Sequence, residues 1–320
     1  MSGPVSPEAS ATLDDEPVRP PPAAGQPREE RLERSFDRII EEGRPRLRRA
    51  WPDHLSTGAV GGIEVAFGIL ALLVVESRTR SVLLGGLAFS VGFIGLRLGN
   101  TELFTEGFLV PVTVVAAGEA RVRDLLRLWV FTLAGNLAGG WVMAWIIEEA
   151  FPSIRTQAVV AAAYYVDSGI TLRTFCLAVL GGAAITLLTR MHNGTDSEVA
   201  RLIASVAVAF VLAGIRVFHS VLDSLLAFVA LDTGRASFGY AAWAAFLGFV
   251  VLGNMVGGLG LTTLLRLVRS RARLRDHRIA NRSPGTPEPG GSPSSAQLSS
   301  EVAVRARDRQ PGARGVGPAV

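Results

Sequence analysis

Between Leu55 and Val268 the chain is built mostly from Ala, Val, Leu, Ile, Phe and Gly, with charge gathered into short interruptions. A helix that crosses the hydrocarbon of a bilayer needs about 20 apolar residues. The apolar runs predict six such spans, near 55–77, 81–117, 124–148, 171–190, 199–232 and 236–268. Two of these, 81–117 and 199–232, are interrupted by polar residues. Span 2 is apolar from Val82 to Leu96, meets "RLGNTELFTEG", and resumes at Phe108. Span 5 is apolar from Val199 to Ile215, meets "RVFHSVLD", and closes with Leu225 to Leu231. Irregular backbone at membrane depth survives only where protein or a water-filled cavity satisfies its polar groups. Both interruptions are therefore expected to be breaks between half-helices that line a cavity. Pro111 fits the start of the second half of span 2, where a missing N–H costs nothing.

Outside the spans the pattern changes. Residues 1–27 are rich in Pro, Ala and Ser and are expected to be disordered. Residues 28–52 space Leu32, Phe36, Ile39 and Ile40 along one helical face, which predicts an amphipathic cytoplasmic helix against the membrane surface or the bundle. The transport domain is placed at 53–268, and 269–320 is expected to be a basic, disordered tail.

Charge then fixes orientation. Every basic residue is arginine, and sixteen arginines flank the spans on one side against five on the other. That asymmetry predicts that both termini are cytoplasmic in a multi-pass inner or plasma membrane protein. It also accounts for the basic balance without nucleic acid. The Arg-only, Ala- and Gly-rich composition suggests a GC-rich bacterial source. The single cysteine, Cys176, reads as core filler, and the four histidines have no metal-ligand spacing. No nucleophile–base pair, metal cluster or phosphate loop is present, so the sequence points away from an enzyme and requires no cofactor.

A repeat orders the middle of the chain. Span 3 contains "GNLAGGWVMA" and span 6 "GNMVGGLGLT", placing Asn136 and Asn254 118 residues apart in the shared G-N-x-x-G-G. Three spans per half is an odd number, so the second half must run upside down. An inverted repeat of this kind places its site at the broken helices near the midplane. Asn136 and Asn254 are expected to tie broken-helix carbonyls to spans 3 and 6.

The segments "FSVGFIGLRLGNTELFTEG", "FHSVLDS" and "LGNMVGG", in this order among six spans, resemble the formate/nitrite transporter family over roughly residues 50–268. The resemblance implies an all-α, aquaporin-like fold with helices 2 and 5 broken. It implies a homopentamer in the lipid bilayer with one pore per subunit, passing a small monovalent anion such as formate, nitrite or hydrosulfide. It makes Phe89 an aromatic constriction on helix 2 and Phe210 its partner on helix 5, with Leu212 as the alternative. Leu103 and Thr105 become the loop residues that narrow the pore, and His219 the central histidine bonded to Thr105. The chain departs from the family pattern at Glu106-Gly107, where a small residue and Asn are usual, and at Asp223, where Asn is usual. Arg97 and Arg216 are also uncommon near such a pore, which suggests an outlying branch.

These charges have a structural reading as well. Glu102 and Glu106 could cap the free N–H groups of the second half-helix, Arg97 could pair with one of them, and Arg216 with Asp223. In the functional reading, Phe89 and Phe210 form dry barriers and His219, kept neutral by burial, orients Thr105. Permeation would be linked to a proton. The competing readings are a neutral-solute pore, against which the absence of any Asn-Pro-Ala triplet counts, and a transport-inactive membrane scaffold acting through its tails.

Overall fold

In the computed structural model residues 28–282 are described, and they contain helices and turns but no strand. From the N-terminus the helices are α1 (Arg28–Arg48), α2 (Trp51–Thr79), α3 (Val82–Ala88), α4 (Ser90–Gly99), α5 (Val110–Ala116), α6 (Val122–Ala150), α7 (Arg155–Val166), α8 (Leu172–His192), α9 (Glu198–Gly214), α10 (Ser220–Asp232), α11 (Tyr240–Met255), α12 (Leu265–Arg269) and α13 (Arg271–Arg282). A 3-10 turn at Phe104–Phe108 precedes α5, and a π-helix at Val256–Leu264 joins α11 to α12.

Five stretches among the described residues are long and apolar enough to cross a membrane: Trp51–Thr79, Val82–Gly99, Val122–Ala150, Leu172–His192 and Tyr240–Arg269. The remaining expected span is in two pieces, α9 and α10, separated at 215–219. Span 2 is likewise broken, but three residues later than the apolar run suggested, because α4 carries Arg97, Leu98 and Gly99 with it. The sequence pattern gave no sign of α7. It is only twelve residues long, buries Ala158, Ala161, Ala162 and Tyr165, and packs on α10.

The two halves are held by the same devices. α2 packs along α6, and α8 packs along α11 and the π-helix. Close approach is set by matched glycine pairs. A Cβ on Gly62 would overlap the Asn136 carbonyl, and one on Gly182 the Asn254 carbonyl. Gly139 meets the Ala59 backbone as Gly257 meets that of Val179. Small residues let helix backbones touch where apolar association alone gives little in lipid. Offsets of 118 to 120 residues between these partners, read from the numbering, extend the repeat beyond the two Asn motifs.

α1 lies against the bundle. Its Phe36, Ile40 and Leu47 are buried with Val114 of α5 and Leu125 and Leu128 of α6, while Ile39 packs with Leu109 and Val110. The C-terminal region departs from expectation, since 271–282 form a helix. Leu274 joins the α1 cluster, and His277 reaches Glu119 at 2.9 Å and Asp37 at 3.5 Å, giving α13 an apolar and a charged anchor. The described residues through Arg278 form one compact unit; of the unit from Ile279 onward, 279–282 are described, as helix. The tails expected at 1–27 and beyond 282 lie outside the described residues. Cys176 is exposed on α8 and is not core filler.

Candidate functional site

Each break begins on a non-glycine residue in the left-handed region, Asn100 with φ 51° and Arg216 with φ 59°. Asn adopts that conformation readily and Arg does not, so the second break is held by its surroundings. The holding groups are the two asparagines. Asn136 Nδ2 donates to the carbonyls of Gly58 and Glu102, both at 2.8 Å, and its Oδ1 accepts from the Phe104 N–H at 2.9 Å. Asn254 Nδ2 donates to the carbonyls of Ala178 at 2.7 Å and Phe218 at 2.9 Å, and its Oδ1 accepts from the Ser220 N–H at 3.0 Å. Each amide thus bridges the first helix of its half to both sides of one residue. That residue is Leu103 in the first half and His219 in the second.

The second half presents its residue to the first. His219 Nε2 lies 2.8 Å from Thr105 Oγ1, with both side chains buried. The backbone N–H of Leu222 donates to His219 Nδ1 at 3.1 Å. A backbone amide can only donate, so Nδ1 is an acceptor and the neutral ring carries its proton on Nε2. That proton is given to Thr105 Oγ1, which leaves the threonine hydroxyl hydrogen free for another acceptor. His219 also caps α10, whose N-terminal partial charge is positive at this point.

Asp223 belongs to the same cap. Its Oδ2 accepts from the His219 N–H at 2.8 Å, while buried Oδ1 has no partner. The expected Arg216–Asp223 pair is absent. Arg216 instead reaches Glu76 of α2 at 3.5 Å and lies over the Tyr164 ring, 5.0 Å from its centre. The left-handed turn at Arg216 and the use of Asp223 in the cap account for the exchange.

Glu102 does not cap the second half-helix, whereas the Glu106 carboxylate meets the Leu103 N–H at the N-cap of the 3-10 turn that precedes α5. Glu102 Oε1 accepts from Arg46 Nε at 3.0 Å and Arg49 Nη1 at 2.9 Å, so it ties the loop to the end of α1. With Glu102 engaged, Arg97 turns to α9 and makes a two-point pair with Glu198, at 2.8 and 3.0 Å. Glu106 makes no side-chain ion pair among the described residues. It lines a cavity of about 320 Å³, together with Arg46, Arg49, Arg97, Arg38 and Arg201. The cavity walls also include Phe93, Leu96 and Ser205, and it stops short of Thr105 and His219.

Phe89 is wholly buried, beside Phe93 at 5.3 Å between ring centres. Phe210 is not its partner in the interior. The buried stripe of α9 is Ser205, Val208, Ala209, Leu212 and Ala213, spaced by three and four as one helical face must be. Phe210 falls off that face and is half-buried. Leu212, the alternative, lies on that face and is fully buried.

A family model described as "Formate/nitrite transporter" matches residues 33–268. This chain belongs to that family. A curated relative, Inner membrane protein YfdC of Escherichia coli (strain K12), is 24% identical over 248 residues, covering 75% of this chain and 78% of the relative. Two solved structures share the fold. A protein described as an FNT family ion channel has a TM-score of 0.65 at 19% identity, covering 73% of this chain and 98% of its own. A pentameric formate channel with formate bound has a TM-score of 0.58 at 19% identity, covering 69% and 98%. This formate/nitrite transporter family member is therefore a multi-pass membrane protein of a channel and transporter family.

The sequence pattern missed Arg46, Arg49, Glu76 and Glu198. Each lies far along the chain from its partner, and nothing local to an arginine announces which carboxylate it meets. The glycine pairs at Gly61-Gly62 and Gly181-Gly182 are a signal in the sequence, since they recur 120 residues apart, close to the 118 of the Asn motifs. Among the described residues no group of three His, Cys, Asp or Glu is placed to hold a metal ion.

Proposed function

We propose that this chain conducts a small monovalent anion of a weak acid, of the formate or nitrite kind, across the membrane together with a proton. The observation that carries the reading is the buried Thr105–His219 pair at 2.8 Å, where the two helix breaks meet. Five arginines against three glutamates line the adjoining cavity, and that surplus would draw an anion in, since an excess of one sign of charge in a cleft raises the local concentration of its counter-ion. Farther in, Phe89, Phe93 and Leu212 offer no polar group. A bare charge loses its hydration there at high cost, and desolvation raises the pKa of the anion. A proton taken from the aqueous cavity converts it to the neutral acid, which can pass. Thr105 donates its free hydroxyl hydrogen to the permeant while His219 Nε2–H holds the hydroxyl oxygen. In this reading His219 stays neutral, because protonating Nδ1 would break the bond from Leu222 that starts α10. Leu103 is the apolar counterpart of His219 and narrows the path from the other side.

We take both termini to be cytoplasmic on the arginine count, and the assembly to be a homopentamer by likeness to the pentameric formate channel. The test is uptake of labelled formate into proteoliposomes across a range of external pH. Replacing His219 by Phe removes the Nε2 donor and the α10 cap, and uptake is expected to fall by about 10-fold or more, as for a barrier raised by about 1.4 kcal/mol or more. Uptake and pH profile equal to the parent protein would remove His219 from the mechanism.

A further inference from the structure

On the outer face of the second half, α8, α9 and the stretch from the π-helix to α12 enclose a groove of about 630 Å³. One end carries Arg190, Arg266 and Arg269, and no acidic side chain lines the groove anywhere. The rest is apolar, including Ala184, Leu187, Val211 and Leu265. The three arginines have no carboxylate partner among the described residues. Arg266 donates to Ser35 Oγ at 2.9 Å, and that bond supplies no negative charge.

We propose that this groove binds an anionic phospholipid. Its phosphate sits among Arg190, Arg266 and Arg269, and one acyl chain lies along the apolar floor. Three arguments favour that occupant. Like charges gathered in one groove repel each other, and an anion with several acceptor oxygens relieves this while using the guanidinium donors. The arginines lie at the ends of two apolar membrane-length helices, Leu172–His192 and Tyr240–Arg269, at the level where headgroups sit. The floor runs along α8 from Arg190 to Leu180, ten residues or about 15 Å at helical rise. That length is half a hydrocarbon core of about 30 Å, hence one leaflet. The groove also touches the conduction path indirectly. Leu261 and Thr262 of the π-helix face it, while Thr263 Oγ1 of the same turn donates to the Phe108 carbonyl of the loop at 2.7 Å.

The experiment uses the full chain purified in neutral detergent. Thermal unfolding is followed with added phosphatidylglycerol, phosphatidylcholine of the same chains, or inorganic phosphate. Phosphatidylglycerol is expected to raise Tm by about 3 °C or more, as a ligand specific to the folded state must, and the other two additives to leave it in place. The double variant Arg190→Gln, Arg269→Gln alters exposed side chains and should fold. It is expected to lose the phosphatidylglycerol shift. Ala184→Trp, which fills the floor and keeps all three arginines, should lose it as well. An equal shift from phosphatidylcholine would reduce the face to ordinary lipid or subunit contact and overturn the proposal. So would a shift from inorganic phosphate alone, or a full phosphatidylglycerol shift in either variant.

Discussion

The two helix breaks share a frame and differ in what fills it. Glu102 and Phe218 are equivalent residues, since each offers its carbonyl to the asparagine of its own half. In the first break the side chain is a carboxylate bound to Arg46 and Arg49. In the second it is an aromatic ring beside Tyr165 at 5.2 Å and Phe246 at 5.8 Å between centres. At this position one break is fastened by charge to a peripheral helix and the other by apolar packing to the bundle interior, although Arg216 adds an ion pair with Glu76 where the second break starts. The lesson is that the backbone geometry belongs to the asparagines, while the side chains decide what each break answers to. Break one can respond to anything that moves α1. Break two is fixed, and it carries the histidine.

Removing the frame should have the largest effect. Asn254→Ala would leave the buried Phe218 carbonyl and Ser220 N–H without partners, at about 1–3 kcal/mol each, and would take a second bond from the Ala178 carbonyl, which keeps its partner within α8. The variant is expected to lose several kcal/mol of stability, read as a marked fall in Tm, and to lose uptake with it. Asn136→Ala should cost a similar amount, because it orphans the equivalent carbonyl of Glu102 and N–H of Phe104. A much smaller loss in either one would show that the breaks are held by something other than these amides, and the equivalence of the two halves would fail.

Next in size is the charged fastening. Glu102→Gln keeps the backbone bond to Asn136 and removes the negative charge from two arginines, a loss of about 1.5–3 kcal/mol per charged hydrogen bond. Arg46 keeps only a longer contact with Glu42 at 3.6 Å. Hydrogen exchange is expected to quicken over residues 40–49 while the amides of α10 keep their protection. Phe218→Ala should do the reverse, opening the start of α10 and leaving α1 protected, at about 3–5 kcal/mol for a buried Phe. If either change spreads equally to both breaks, the two fastenings are not independent.

Much of this arrangement was legible in the sequence, and the reasons are physical. Breaks at 97–107 and 216–223 stood out because hydrocarbon tolerates neither polar side chains nor free backbone groups, so their presence in apolar runs had to mean protein-lined space. Asn136 and Asn254 stood out because their motif repeats. What failed was partner choice. Arg97 and Arg216 were each matched to the nearest acids in sequence, yet their carboxylates, Glu198 and Glu76, come from other helices. On the resemblance Phe210 is the helix 5 partner and Leu212 the alternative. The phase of Ser205, Val208, Ala209, Leu212 and Ala213 would have placed Leu212 inward.

The smallest expected effect is at Asp223, where the family pattern usually has Asn. The carboxylate does one visible thing, accepting the His219 N–H through Oδ2. Its other oxygen is buried without a partner, an arrangement that costs free energy whenever it bears charge. Asp223→Asn keeps shape and acceptor and removes that charge. Uptake should change by less than about 3-fold, and Tm should hold or rise slightly, because a lost buried charge offsets the weaker acceptor. Asp223→Ala is the contrast: it frees the His219 N–H, loosens the cap and should lower uptake along with Tm. If Asn behaves like Ala, the negative charge itself acts on the permeant or its proton. His219 would then be half of an ionisable pair, and the second break would be as electrostatic as the first.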